Sequence, residues 1–384
     1  MTEEHLTRDE LLRRGAAVGA AFAIPGFLAE LARAGVAVPP GVDPKRLKKT
    51  LVFSNWPYYM DYDEKTKRHP SLDLFAKRYG VKVKYTEDIN DNAPFFGKIQ
   101  APLSRGRSIG RDIIVMTDNS PYPALLIKKG WVEKIDKSVL PNLKNVQPAL
   151  KHPPFDPNHD YTMPWQSGMT GIGYNEKQSK PVTTIDQLLT DRKLKGKVTL
   201  LANLGDTLPL VVLSNGDNPS KIDDAAFNRA IKKIKKARDS GQIRQFTGND
   251  YAPLLQKGDV AAAVAWSGDI FQLNDKRVHW LLPKAGGAIW TDHMLIPHGG
   301  DAYTASVYMN FVYDRKIAAM IDGDIAYISP VKGASRVLLK SDPKRARNVL
   351  LFPTPAMQAR LHVVDSNALF NPDFKTKWQK LLGA

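Results

Sequence analysis

Apolar positions along the chain fall into short alternating runs of strand and helix type. Thr50–Ser54 reads as a buried first strand, and Ser71–Tyr79 then places Leu72, Phe75 and Ala76 on one helical face. Gly80 stands where such a helix stops. Val81–Tyr85 alternates as a strand, Phe95–Leu103 has helical spacing, and Asp112–Val115 predicts another buried strand. The middle of the chain repeats the order with strand Val198–Leu201 and the apolar helix Leu208–Leu213. Helix Asp223–Arg238 then carries Phe227, Ala230, Ile231, Ile234 and Ala237 as one stripe, with Gly241 as its stop. Ala261–Ala265 predicts a strand of small residues, His279–Leu282 and Ala288–Trp290 two short strands, and helices resume from Thr304. Such alternation implies an α/β fold with a mainly parallel sheet flanked by helices. The glycine-rich stretch from Gly168 lacks dinucleotide-turn spacing and is expected to be a hinge or a tight packing site.

With 384 residues, the chain exceeds what one core usually serves, so two domains are expected. There is no cysteine, which excludes disulfides, zinc–thiolate sites, thiol nucleophiles and a lipid-modified N-terminal cysteine. The net charge of +16 raises the question of nucleic acid or an anionic membrane surface. Basic residues are spread out, with short clusters at Lys45–Lys49 and Lys232–Lys236 and no interleaved aromatics. No nucleic-acid partner is therefore expected, and the lysines of 223–238 read as a solvated face. At the N-terminus, Arg13-Arg14 precede the uncharged Gly15–Ala29 and then Ala32-Arg33-Ala34. The stretch is too short for a membrane span, which takes about 20 apolar residues. Residues 1–44 read as a twin-arginine-like export signal and linker, so the protein is expected outside the cytoplasm.

No P-loop, G-x-S-x-G elbow or H-E-x-x-H helix is present, so neither a cofactor nor an enzymatic activity is expected. His293 and His298 lie near Asp292, but satisfied surface histidines are expected there rather than a metal site. What does recur is an aromatic ring, carboxylate or amide directly after an apolar strand. Trp56 and Tyr59 follow the first strand; Thr117 and Asn119 follow Asp112–Met116. Asn203 and Asp206 follow Leu201, Trp266 and Asp269 follow Ala265, and Trp290 and Asp292 follow Gly286–Ile289. Ligands of open α/β sheets bind at the carboxyl ends of strands, so these pairs are expected to converge on one cleft. A ring face attracts a cation by about 0.5–2 kcal/mol, and a carboxylate holds an ammonium by charge-assisted hydrogen bonds. Rings also grip an aliphatic stem, and a linear polyamine combines these features. Singly, each pair has a plainer reading as a core tryptophan and a helix-capping acid.

At these residues the chain resembles the substrate-binding proteins of spermidine/putrescine ABC importers. The likeness runs through Phe53–Tyr59 (FSNWPYY), Pro154–Pro164 (PFDPNHDYTMP), Gly168–Asn175 (GMTGIGYN), Trp266–Asp269 (WSGD), Gly286–Asp292 (GGAIWTD) and Ala326–Pro330 (AYISP). The resemblance implies a two-lobed type II periplasmic-binding-protein fold joined by a hinge, with lobe one at 45–170 plus 292–336 and lobe two at 171–291 plus 337–384. It implies an aromatic box of Trp56, Tyr59, Trp266, Trp290 and Tyr327. Asp292 and Asp269 would hold ammonium groups, Asp206 would be a further acid, and Thr117 a polar contact. The implied partners are a small cationic polyamine and an importer permease in the membrane, with the binding protein a monomer. The chain departs from the family pattern at Asn203, often acidic there, at Asn119, commonly aromatic, and at Tyr58, acidic in some members. Those departures leave fewer carboxylates than a fully charged triamine asks for and open the alternative of a modified amine. Further alternatives are the same fold holding an amino-sugar, an opine-like compound or an organic anion, and a secreted enzyme using the acids for proton transfer.

Overall fold

The computed structural model describes Val38 and residues 41–383. Arg13-Arg14 and the uncharged stretch behind them, read above as an export signal, lie outside the described residues. Ten strands form one sheet: β1 (Thr50–Asn55), β2 (Lys82–Glu87), β3 (Ile113–Thr117), β4 (Thr162–Asn175), β5 (Val198–Leu201), β6 (Ile243–Thr247), β7 (Ala262–Trp266), β8 (Val278–Leu281), β9 (Gly287–Leu295) and β10 (Leu361–His362). Their order is β2-β1-β3-β9-β4-β7-β5-β6, with β8 beside β4 and β10 beside β9. β2-β1-β3 is parallel throughout, and so is β7-β5-β6. Between these flanks, β9 and β4 run antiparallel to each other and to their outer neighbours. The protein is thus a two-lobed α/β fold whose parallel halves are joined through two long crossing strands.

Helices follow the predicted pattern, extended at their ends by capping chemistry. Helix α1 (Pro70–Tyr79) starts on a proline and stops at Gly80, whose φ of 68° is left-handed. Helix α2 (Asn92–Ser104) begins three residues before the apolar run because Asp91 caps it, accepting the Ala93 N–H at 2.9 Å. Helix α3 (Leu204–Ser214) likewise begins early, capped by Asn203. Helix α4 (Asp224–Asp239) buries Phe227, Ala230, Ile234 and Ala237 and leaves Lys232, Lys235 and Lys236 exposed, as expected of an amphipathic surface helix. Among the described residues, no helix is long and apolar enough to cross a membrane.

Two details correct the reading from sequence. The glycine-rich stretch, read as a hinge or a tight packing site, is not a separate turn but the interior of β4, a continuous strand of 14 residues. Gly168 is tightly packed, since a methyl group there would come within 2.4 Å of the Trp290 ring. His293 is not a surface residue. It lies in β9, paired on one side with β3 and on the other with β4, and is 1% exposed with its ring edge-on to Phe155. His298 is half-exposed and pairs with Glu133 at 2.9 Å.

Candidate functional site

Every strand that ends near the middle of the molecule delivers a functional side chain. At the end of β1, Asn55 accepts the Trp56 N–H at 2.9 Å and donates to the Tyr59 carbonyl at 3.2 Å. This bends the chain and turns both rings inward. At the end of β3, Thr117 sits opposite Asp292 in the β3–β9 register. Its hydroxyl donates to Asp292 Oδ1 at 2.5 Å, and Tyr59 Oη donates to Asp292 Oδ2 at 2.5 Å. Both Asp292 oxygens are therefore occupied by hydroxyl donors.

On the other half, β5 leads into α3. Asn203 accepts the Gly205 N–H at 3.0 Å and donates to Asn119 Oδ1 at 3.2 Å, so it is a helix cap and a bridge at once. One turn in, Asp206 Oδ1 accepts from Trp266 Nε1 at 2.9 Å, Thr170 Oγ1 at 2.7 Å and Asn119 Nδ2 at 3.1 Å. Asp206 Oδ2 is buried with no partner. At the end of β7, Asp269 lies in the first turn of helix α5 (Ser267–Gln272). It accepts from Tyr327 Oη at 2.7 Å, Tyr251 Oη at 3.0 Å and Asn249 Nδ2 at 2.9 Å.

The rings close a cage around these acids. Trp56 meets Trp266 edge-on at 6.3 Å, Trp266 meets Trp290 at 6.3 Å, Trp290 meets Tyr327 at 5.9 Å and Tyr327 meets Tyr59 at 4.7 Å. Rings and acids together line one cavity. All eleven residues singled out from the sequence line it: the five rings, the three aspartates, Thr117, Asn119 and Asn203. Sequence reasoning missed Pro57, Asn92 and Asn249, which also line it. Asn249 carried the usable signal, because it follows the end of β6.

The electrostatics are one-sided. No arginine, lysine or histidine lines the cavity. Burial pushes the Asp292 carboxyl up to about 7, and the Asp206 and Asp269 carboxyls up to about 6, against the hydrogen bonds that hold each one down. Buried carboxylates without a counter-charge are costly, so a cation entering this cage would be bound both by the acids and by the ring faces. Among the described residues, no group of three or more metal-ligating side chains converges.

Residues 72–348 match a protein family described as bacterial extracellular solute-binding protein. The chain is 27% identical over 310 residues to the spermidine/putrescine-binding periplasmic protein of Escherichia coli, covering 79% of this chain and 83% of that relative. Among solved structures it is similar to the spermidine/putrescine ABC transporter substrate-binding protein PotD of Streptococcus pneumoniae, with a TM-score of 0.69, 20% identity, and coverage of 87% and 97% of the two chains. It is equally similar in shape to the periplasmic binding protein AgtB of A. tumefaciens in complex with agropinic acid, with a TM-score of 0.71, 24% identity, and coverage of 88% and 100%.

Proposed function

The chain belongs to the bacterial extracellular solute-binding protein family, and from that premise we propose that it captures a polyamine of the putrescine/spermidine class and delivers it to an ABC importer. The observation that carries this reading is the cage itself: five rings and three buried carboxylates around one cavity with no basic residue in its lining. The ring faces take the methylene stem, and the carboxylates take the ammonium ends. A micromolar complex requires about −8 kcal/mol. Two hydrogen bonds to charged groups at about 1.5–3 kcal/mol each, with cation–π contacts of about 0.5–2 kcal/mol, supply most of it.

Capture works by hinge closure between lobe one (45–170 plus 292–336) and lobe two (171–291 plus 337–384). Tyr327 reaches Asp269, and Asn119 reaches Asp206, across the boundary between them. A ligand that touches both sides only when they meet shifts the hinge equilibrium toward closure. The exterior charge does not repel the guest, because exposed charges are screened beyond about 8 Å at physiological salt. The reading includes export by the twin-arginine-like segment, a monomer in solution, and stoichiometric binding without turnover.

A thermal-shift screen of putrescine, spermidine, spermine, sugars and amino acids tests the ligand class. An amine at a hundredfold excess over its dissociation constant should add about 2.7 kcal/mol of stability and be recovered unchanged. Stabilisation by sugars or amino acids with none from any amine would overturn the reading.

A further inference from the structure

We infer that the preferred solute is an amine chain charged at one end only, its other end a neutral, oxygen-bearing group such as an acyl amide. This rests on the polyamine reading and narrows it. Three polar atoms of cavity-lining residues are buried without a partner: Asp206 Oδ2, Asn249 Oδ1 and Asn92 Nδ2. Their orientations follow from the surrounding hydrogen bonds. Asn249 donates its Nδ2 to Asp269 at 2.9 Å, which leaves its oxygen open. Asn92 accepts the Thr117 backbone N–H on its Oδ1 at 3.1 Å, which leaves its amide nitrogen open. Residues that line the cavity thus keep two acceptors and one donor without a partner.

A doubly protonated diamine carries N–H donors and no acceptor. An ammonium can donate to open acceptors such as Asp206 Oδ2 or Asn249 Oδ1. A second ammonium would leave Asn92 Nδ2 facing a like donor. The neighbouring acid is already engaged, since Thr117, which donates its backbone N–H to Asn92, also donates its hydroxyl to Asp292. The other Asp292 oxygen accepts from Tyr59. That corner presents an open donor beside a carboxyl that already accepts two hydroxyls, which suits a carbonyl or hydroxyl oxygen on the ligand. A buried polar group left unpaired is penalised more heavily than an ordinary hydrogen bond is rewarded, so Asn92 discriminates between the two kinds of ligand end.

Calorimetric titration of the full chain with putrescine and N-acetylputrescine tests this directly. The acetylated amine is expected to bind at least tenfold more tightly. Asn92→Asp keeps the acceptor for the Thr117 N–H and removes the open donor, so it should abolish or reverse that preference. Putrescine binding as tightly as its acetylated form would overturn the inference while leaving the polyamine reading intact. Neither ligand binding, with spermidine and spermine also inert, would overturn both. Preference for the acetylated amine surviving unchanged in Asn92→Asp would remove Asn92 from the role assigned to it.

Discussion

Asp206 and Asp292 are both buried acids on opposite sides of one cavity, yet their surroundings differ in kind. Asp292 is held by two hydroxyls, from Tyr59 and Thr117, and each oxygen has one. Asp206 has three donors on a single oxygen, two of them N–H groups of Trp266 and Asn119, and its second oxygen is bare. A hydroxyl can rotate and exchange its donor role for an acceptor role, whereas an indole N–H is a donor only. The Asn119 amide is fixed as well, because its oxygen already accepts from Asn203. Burial lifts both carboxyls, Asp206 to about 6 against donors from Thr170, Trp266 and Asn119, and Asp292 to about 7, where Asp118 and Asp206 add repulsion. The same residue type therefore keeps an open acceptor oxygen on one side and two hydroxyl-bonded oxygens on the other.

The largest expected effect tests that contrast. Asp206→Asn removes the one bare carboxylate oxygen, and truncating one partner of a buried charge pair costs about 2–5 kcal/mol. Amine affinity should fall about a hundredfold or more by calorimetry. Asp292→Asn, at a residue whose two oxygens each already accept a hydroxyl, should cost about tenfold or less for a singly charged amine. Equal losses, or a larger loss at Asp292, would break the distinction between the two corners.

The next effect concerns how closely the two sides approach. A methyl group at Gly205 would lie 1.9 Å from the Asn119 backbone oxygen, so neither atom can yield by a side-chain rotation. Overpacking of this kind costs about 1–3 kcal/mol. In Gly205→Ala that cost falls on the contact between the sides, so affinity should drop about thirtyfold while the melting temperature of the ligand-free protein stays near wild type. A matching loss of ligand-free stability would show the contact to be part of the folded core instead.

Much of the site, though not this contrast between its acids, was legible in the sequence, and the reason is physical. A strand that ends in Trp-x-x-Asp or Trp-x-Asp announces itself, because the apolar run before it is short and the ring and acid after it are costly to bury. Trp266 with Asp269 was found in this way; Trp290 and Asp292 were found by the same pattern, although they lie inside β9, which runs on to Leu295 instead of ending before them. Asn92 was not, since it follows an acidic cap rather than an apolar strand. Asn249 was missed because β6 carries two consecutive exposed residues, Arg244 and Gln245, which break the strand pattern and hide its end. β4 escaped detection for a related reason. Glycines at 168, 171 and 173 weaken any strand signal, and only the finished structure shows Trp290 occupying the space at Gly168 and Trp280 that at Gly171. Local pattern carries residues that act beside their own strand; it does not carry those whose partner comes from a distant part of the chain.

The smallest effect separates the corners by pH. In the ligand-free protein, Asp292 at about 7 and Asp206 and Asp269 at about 6 all lie above the ordinary value of 3.8. The native state then binds more protons than the unfolded chain, so this contribution to stability is present below about pH 4 and is lost as pH rises toward about 7. Binding of a cation runs the other way, because it favours the ionised acids. Affinity should be about tenfold weaker at pH 5.5 than at pH 7.5, and protons should be released on binding, measurable as a buffer-dependent enthalpy. Asp206→Asn should reduce the part of that dependence centred near pH 6, which Asp269 shares, and Asp292→Asn should remove the part near pH 7. An affinity flat with pH would mean that neither carboxyl changes its protonation when the amine arrives, and the asymmetry between the two acids would then have no part in binding.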